Sequence, residues 1–169
     1  MKPTLATLLL LLLPAGPAGA GQFHARAGSH VQLTDYGPGL GTALDIDLAG
    51  SWSPLPELEI GLEAWFGWPL PTGERTSPSS MLMRFNPALW LRWGEDDWWV
   101  YLKAGAGLAG HLRDGGFRRA WVACAASGVA VAPVDLYVYF GFELSGQIEL
   151  AGELPTRALG LGGFLGYQF

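Results

Sequence analysis

The chain has 169 residues, a formal net charge of −5, 50% hydrophobic residues, 25 glycines and 8 tryptophans. That length suits one domain. The acidic balance without a basic run argues against nucleic acid as a partner, and the single cysteine, Cys124, rules out an internal disulfide.

Met1 to Ala20 sets Lys2 before the apolar run Leu5 to Leu13 and closes on Pro14-Ala15-Gly16-Pro17-Ala18-Gly19-Ala20. This is the layout of a secretory signal peptide with an Ala-x-Ala cleavage site. It predicts removal of residues 1–20 and a mature domain over 21–169. The apolar run is about half of the roughly 20 residues a spanning helix requires, so it exports the chain without anchoring it. No other uninterrupted apolar run approaches that length, and any membrane crossing has to be built from strands. Cys124 lies far from the leader junction where a lipid-modified cysteine would sit, and reads as a small buried or lipid-facing residue.

From Gly21 onward the hydrophobic pattern has a period of two, which suits strands. The first run, Gln22 to Leu33, sets Phe23, Ala25, Ala27, Val31 and Leu33 against His24, Arg26, His30 and Gln32. After a Gly/Pro turn at 35–39, the second sets Leu44, Ile46, Leu48 and Trp52 against Asp45, Asp47 and Ser51. A short break at Ser53 to Pro56 leads to the third, with Leu58, Ile60, Leu62, Phe66 and Trp68 against Glu59, Gly61, Glu63 and Trp65. A polar loop, Pro69 to Ser80, precedes the fourth, where Met83, Phe85, Leu89, Leu91 and Trp93 oppose Arg84, Asn86, Trp90 and Arg92. Pro87 inside that run predicts a bulge or a broken hydrogen bond. The fifth opposes Trp98, Val100, Leu102, Ala104 and Leu108 to Trp99, Tyr101, Lys103, Gly105 and Gly107, and a loop is expected over His111 to Arg119. In the sixth, Ala120 to Ala132, both parities are small and apolar, and Trp121, Val129 and Val131 are assigned outward. The seventh alternates Leu136, Val138, Phe140, Phe142, Leu144 and Ile148 with Tyr139, Gly141, Glu143, Ser145, Gln147 and Glu149.

The last run, Arg157 to Phe169, sets Leu159, Leu161, Leu165, Tyr167 and Phe169 against Ala158, Gly160, Gly162, Gly166 and Gln168. An exposed alternating strand at a chain end invites pairing with other chains, so something has to close over it. The ending Tyr167-Gln168-Phe169 resembles the C-terminal strand of bacterial outer-membrane β-barrel proteins. That resemblance implies that Tyr167 and Phe169 are read as an assembly signal by the barrel-assembly machinery. Eight strands, an even number, then close as an antiparallel up-and-down transmembrane barrel without free edges. Longer breaks at Asp35, Pro69, His111 and Ala151 alternate with shorter ones at Ser53, Gly94 and Pro133, which predicts both termini on the periplasmic side. Phe23, Trp52, Trp93, Trp98, Tyr167 and Phe169 then form a periplasmic aromatic girdle, and Tyr36, Trp68 and Trp121 an outer one.

A soluble barrel would bury the apolar faces, whereas a membrane barrel turns them to lipid. These faces carry almost no charge from end to end, as expected where a Lys or Arg at mid-bilayer costs about 2–4 kcal/mol. The opposite faces line the lumen and bring in Arg26, Arg84, Arg92 and Lys103 against Asp45, Asp47, Glu59, Glu63, Glu143 and Glu149. A lumen this narrow holds side chains and no wide water column, so the charges, joined by His30, are expected to pair and plug it. Arg26 and His30 are expected near Asp45 or Asp47, and Arg84, Arg92 and Lys103 near Glu59, Glu63 or Glu143. Gly105, Gly107, Gly141, Gly160 and Gly162 leave room for the alternative, a narrow polar pore.

His24 and His30 are six residues apart on one face, roughly 20 Å at strand rise, too far for one metal ion. No metal or other cofactor is expected. The lipid A deacylases among outer-membrane barrels carry a His-x-Ser pair near the C-terminal end, and this chain has none. His111, Arg113 and Asp114 would share an outer loop as ordinary solvated charges. Over residues 21–169 the architecture resembles the small outer-membrane barrels of the OmpA transmembrane-domain and OmpX type. The resemblance implies a non-enzymatic outer-membrane barrel, structural or interaction-bearing, monomeric, with outer-membrane lipids and lipopolysaccharide around it. The alternatives are a narrow channel for small or apolar solutes, as in OmpW-like barrels, and a lipid A-modifying enzyme.

Overall fold

A computed structural model of the chain describes residues 21–35, 40–70, 81–113, 116–133, 137–150 and 157–169. The expected leader at 1–20, Tyr36 expected in the outer girdle, Asp114, Leu136 and the stretches 36–39, 71–80 and 151–156 lie outside the described residues. Eight strands follow one another: β1 (Gln22–Asp35), β2 (Leu40–Leu55), β3 (Leu58–Leu70), β4 (Met81–Gly94), β5 (Trp98–Arg113), β6 (Gly116–Val131), β7 (Val138–Glu149) and β8 (Arg157–Gln168). Each pairs antiparallel with its neighbour in sequence, and β1 pairs with β8 to close the barrel. The closing ladder runs from His24 opposite Gln168 to Asp35 opposite Arg157, and Phe169 extends it by donating its N–H to Phe23 O at 2.8 Å.

Closure removes the sheet edge, so every strand has one face toward the axis and one toward the surroundings. In β1 the even-numbered residues from His24 to Thr34 point inward and the odd ones outward; the alternation recurs around the barrel. The outward set includes Leu62, Phe85, Leu102, Phe142, Leu161 and Leu165, all exposed. On β6 the outward residues include Trp121, Val129 and Val131, while Val122, Ala126 and Ala130 are buried inside.

Two stretches depart from the expected pattern, and Pro87 gives one of the two outcomes expected of it. The loop expected over His111 to Arg119 is largely strand: β5 and β6 stay paired up to Arg113 opposite Gly116. Pro87 breaks the ladder without a bulge. The β4–β5 register passes from Phe85↔Leu108 to Ala88↔Gly105 unshifted, because a proline on a strand removes its own backbone donor from the ladder without adding a residue. The one irregularity in the β2–β3 ladder falls between Trp52 and Leu55, where the Ser53-Pro54-Leu55 stretch expected as a break is strand instead. The β4–β5 turn opens at Gly94, whose φ of 152° is one that L side chains rarely adopt.

Candidate functional site: the barrel lumen

Gly21, Phe169, the connections at 56–57 and 95–97, the end of β6 at Val131 and the start of β7 at Val138 share one end of the barrel, called here the turn end. At this end the lumen is filled by rings. Trp90, Trp99, Tyr101, Tyr139 and Phe164 form a buried cluster with Ala49, Ala88 and Ala130, and Trp90 is 0% exposed. Ring centroids stand 5.2 Å apart for Trp99 and Tyr139, and 6.0 Å for Tyr101 and Phe164. Phe164 is the member that the sequence pattern does not single out. It interrupts the small-residue face of β8, and Gly141 on β7 accommodates it: a Cβ at 141 would lie 2.5 Å from the Phe164 ring.

Arg26 sits in this aromatic box. Its guanidinium carbon is 4.9 Å from the Trp90 ring centroid and 5.5–5.8 Å from those of Tyr101, Tyr139 and Phe164. Its Nε donates to Tyr139 Oη at 2.9 Å, and its Nη2 donates to both Glu59 oxygens at 2.5 and 2.6 Å. Ser51 Oγ also donates to Glu59, and Arg92 Nη1 lies 3.8 Å from it. Arg92 stacks on Trp99 at 4.3 Å, and its Nη1 is 3.4 Å from His24 Nε2. The expected approach of Arg26 to Asp45 or Asp47 is therefore replaced by a pair with Glu59, two strands away across the lumen.

The middle of the lumen is organised by Lys103, which donates to Glu63 at 2.8 Å and to Glu143 at 2.7 Å. Tyr101 Oη donates to the other Glu143 oxygen at 2.7 Å. His30 lies between Asp47, at 3.0 Å from Nδ1, and Glu143, at 3.6 Å from Nε2; the distances suit ion pairs, although neither contact is aligned as a hydrogen bond. Its ring is 4.7 Å from Trp65. Arg84 donates to Asp45 Oδ2 at 3.0 Å, not to the glutamates expected from sequence, and to Gln32 Oε1 at 3.3 Å. His111, expected in an outer loop, faces the lumen on β5 with Nε2 2.5 Å from Glu149 Oε1. Cys124 faces inward as well, its Sγ 3.7 Å from Asn86 Nδ2.

The glycines expected to leave room for a pore are occupied by neighbours. A Cβ at Gly162 would overlap the His30 ring, one at Gly160 would meet Ser145 Oγ at 2.7 Å, and one at Gly105 would meet Cys124 Sγ at 3.1 Å. Among the described residues no group of three or more His, Cys, Asp or Glu is arranged to hold a metal ion.

Outside, the described residues expected in the girdles are exposed, apart from Phe23, which is half-buried. Trp52, Trp93, Trp98, Tyr167 and Phe169 stand at the turn end, with Tyr167 and Phe169 rings 4.7 Å apart, and Trp68 and Trp121 stand toward the other end. Between them runs a wall of Leu, Ile, Val and Phe. Residues that are apolar and solvent-facing in this number form a continuous belt of the kind that lipid covers.

No protein-family model matches the sequence, and no curated protein matches it. The structure, by contrast, superposes on solved barrels. Neisserial surface protein A aligns with a TM-score of 0.72 and 13% identity, over 87% of this chain and 97% of that one. The fold is that of the small eight-stranded outer-membrane β-barrels. The N-terminal β-barrel domain of Pseudomonas aeruginosa OprF aligns at 0.52 and 14%, over 88% and 99%, and the outer-membrane enzyme PagL at 0.58 and 14%, over 82% and 97%. At these identities the likeness is one of architecture, and function has to be argued from the lumen and the wall.

Proposed function

We propose that the protein is a non-enzymatic integral barrel of the bacterial outer membrane, structural or interaction-bearing, whose lumen is plugged by its own side chains. The observation that carries this reading is that Arg26, Arg84, Arg92 and Lys103 each lie within ion-pair reach of a lumenal carboxylate, beside packed rings that occupy the turn end. A transport path needs polar groups that face water, and here they face one another. Exported by cleavage after Ala20, the chain is placed with both termini periplasmic and stands as a monomer among lipids and lipopolysaccharide. The Tyr167–Phe169 ending serves as its signal to the assembly machinery. The absence of a His-x-Ser pair supports a non-enzymatic role despite the PagL-like architecture.

Membrane fractionation and a lipid A mass spectrum test this reading. The folded, heat-modifiable protein is expected in the outer-membrane fraction, and lipid A from cells with and without it should be identical. A mass change in lipid A that depends on the protein would overturn the non-enzymatic assignment.

A further inference from the structure

The cations of the barrel divide by face. Arg26, Arg84, Arg92 and Lys103 point inward and are paired with carboxylates. Arg119 on β6 and Arg157 on β8 point outward and are exposed, at the end of the barrel opposite the turn end. Arg119 stands two residues beyond the girdle residue Trp121, its guanidinium carbon 5.8 Å from the Phe117 ring centroid. Among the described residues no carboxylate lies within ion-pair reach of Arg119. Arg157 lies close to the same girdle, since its ladder partner Ile148 faces Ala123, two residues from Trp121. On its other side Arg157 faces Asp35 of β1, which is also outward and exposed. Among the residues whose side chains are described, these three are the outward charges at this end, and the wall below them is uncharged as far as the turn end.

β7 lies between the two arginines. Two strand spacings of about 4.8 Å and a stagger of about four residues at about 3.3 Å each put their Cα atoms roughly 16 Å apart. Between them on β7 stands Leu150, exposed and apolar. A guanidinium holds phosphate through two parallel N–H donors, a geometry that suits arginine better than lysine. Basic residues at the edge of a lipid-facing wall select anionic head groups, and a pair this far apart suits a head group with a phosphate at each end. Beneath the arginines the wall is low. Ala106 and Ala123 are ladder partners, as are Ala125 and Gly146, and a Cβ at 146 would approach only Ala125 O, at 4.0 Å. We propose that Arg119 and Arg157 hold the two phosphates of one lipid A molecule, whose acyl chains lie below them against β6, β7 and β8. The proposal rests on the reading of a periplasmic turn end, because that reading places both arginines in the leaflet that lipopolysaccharide occupies.

The test is native mass spectrometry of the refolded protein in detergent, titrated with bisphosphorylated lipid A, with monophosphorylated lipid A and with phosphatidylglycerol. One saturable adduct is expected with the bisphosphorylated form, held about tenfold more tightly than either other lipid. Arg119→Gln and Arg157→Gln should each bring it down to the monophosphorylated level. Asp35→Asn, which removes a carboxylate that competes for Arg157, should tighten it. Heat modifiability shows which variants fold; should the Gln variants fail to, the wild-type ratio between the two forms of lipid A carries the test. Equal binding of all three lipids, unsaturated addition of several lipid A molecules, or an adduct unchanged when both arginines are replaced would overturn the site. Failure of the orientation is distinguishable, because it is read without lipid A. Maleimide should label Gly116→Cys, in a Cys124→Ala background, on intact cells. Labelling only after the outer membrane is opened would overturn the orientation, and the lipid A assignment with it, even where the adduct forms in detergent.

Discussion

Arg26 on β1 and Glu59 on β3 form a two-oxygen pair at 2.5 and 2.6 Å inside a box of four aromatic rings, and Glu59 is 0% exposed. Two buried charges gain from each other what they lose in water only when both are present. Arg26→Ala is therefore expected to destabilise the barrel by about 3–5 kcal/mol in a lipid-refolding assay. The same change at the exposed turn residue Glu95 should have little effect. Combining Arg26→Met with Glu59→Leu should bring stability closer to wild type than either single change does. A double variant as unstable as the sum of the singles would contradict the pairing.

The wall makes the opposite demand. Leu62 and Leu102 face outward between the girdles, and Arg at either position is expected to cost about 2–4 kcal/mol in lipid. The comparison has to be made at a lumen position with space. Gly61, which sequence pattern alone would offer as a mild site for Ser, is unsuitable, because a Cβ there would overlap Gly50 O. Ala43→Ser, beside a lumen cavity of about 40 Å³ at the end opposite the turn end, is the appropriate partner and should be mild. Equal tolerance at both faces, read from urea midpoints, would reverse the in/out assignment.

Phe164 supplies a third expectation. Truncation to Ala removes a ring packed against Tyr101 and Tyr139, with an expected loss of about 3–5 kcal/mol. A loss below about 1 kcal/mol would show that the aromatic plug is not load-carrying in the folded barrel.

Much of this was legible in the sequence because a barrel wall obeys one rule, period-two alternation, on every strand. The inward set of charges, the outward girdles and the opposition of His30 to Asp45 all follow from parity and from counting back across a hairpin. Counting across a hairpin reaches only adjacent strands. It could not find Arg26 with Glu59, which meet across the lumen, or Arg84 with Asp45, and so it placed those cations near the wrong carboxylates. Phe164 was passed over because Gly160, Gly162 and Gly166 made its face look empty, although its parity alone puts it inside. The extended β5–β6 pairing also had a signal, Asp114-Gly115, a short-hairpin dipeptide that the surrounding charges disguised as loop.

Assembly through the last strand gives a further expectation. Phe169 pairs its N–H with Phe23 O at 2.8 Å and packs its ring edge-on against Tyr167. Deleting Phe169 should lower the yield of folded protein in the outer membrane and leave unfolded chain for periplasmic proteases. Unchanged heat-modifiable protein in that membrane would remove the C-terminal residue from the assembly step.

The central claim, a lumen closed by its own ion pairs and rings, is tested most directly by planar-bilayer conductance of the refolded wild-type protein. The account predicts a quiet membrane, without steady single-channel steps, across the voltages that the bilayer withstands. A large, steady, voltage-independent conductance from the wild-type barrel would contradict it and establish a channel instead.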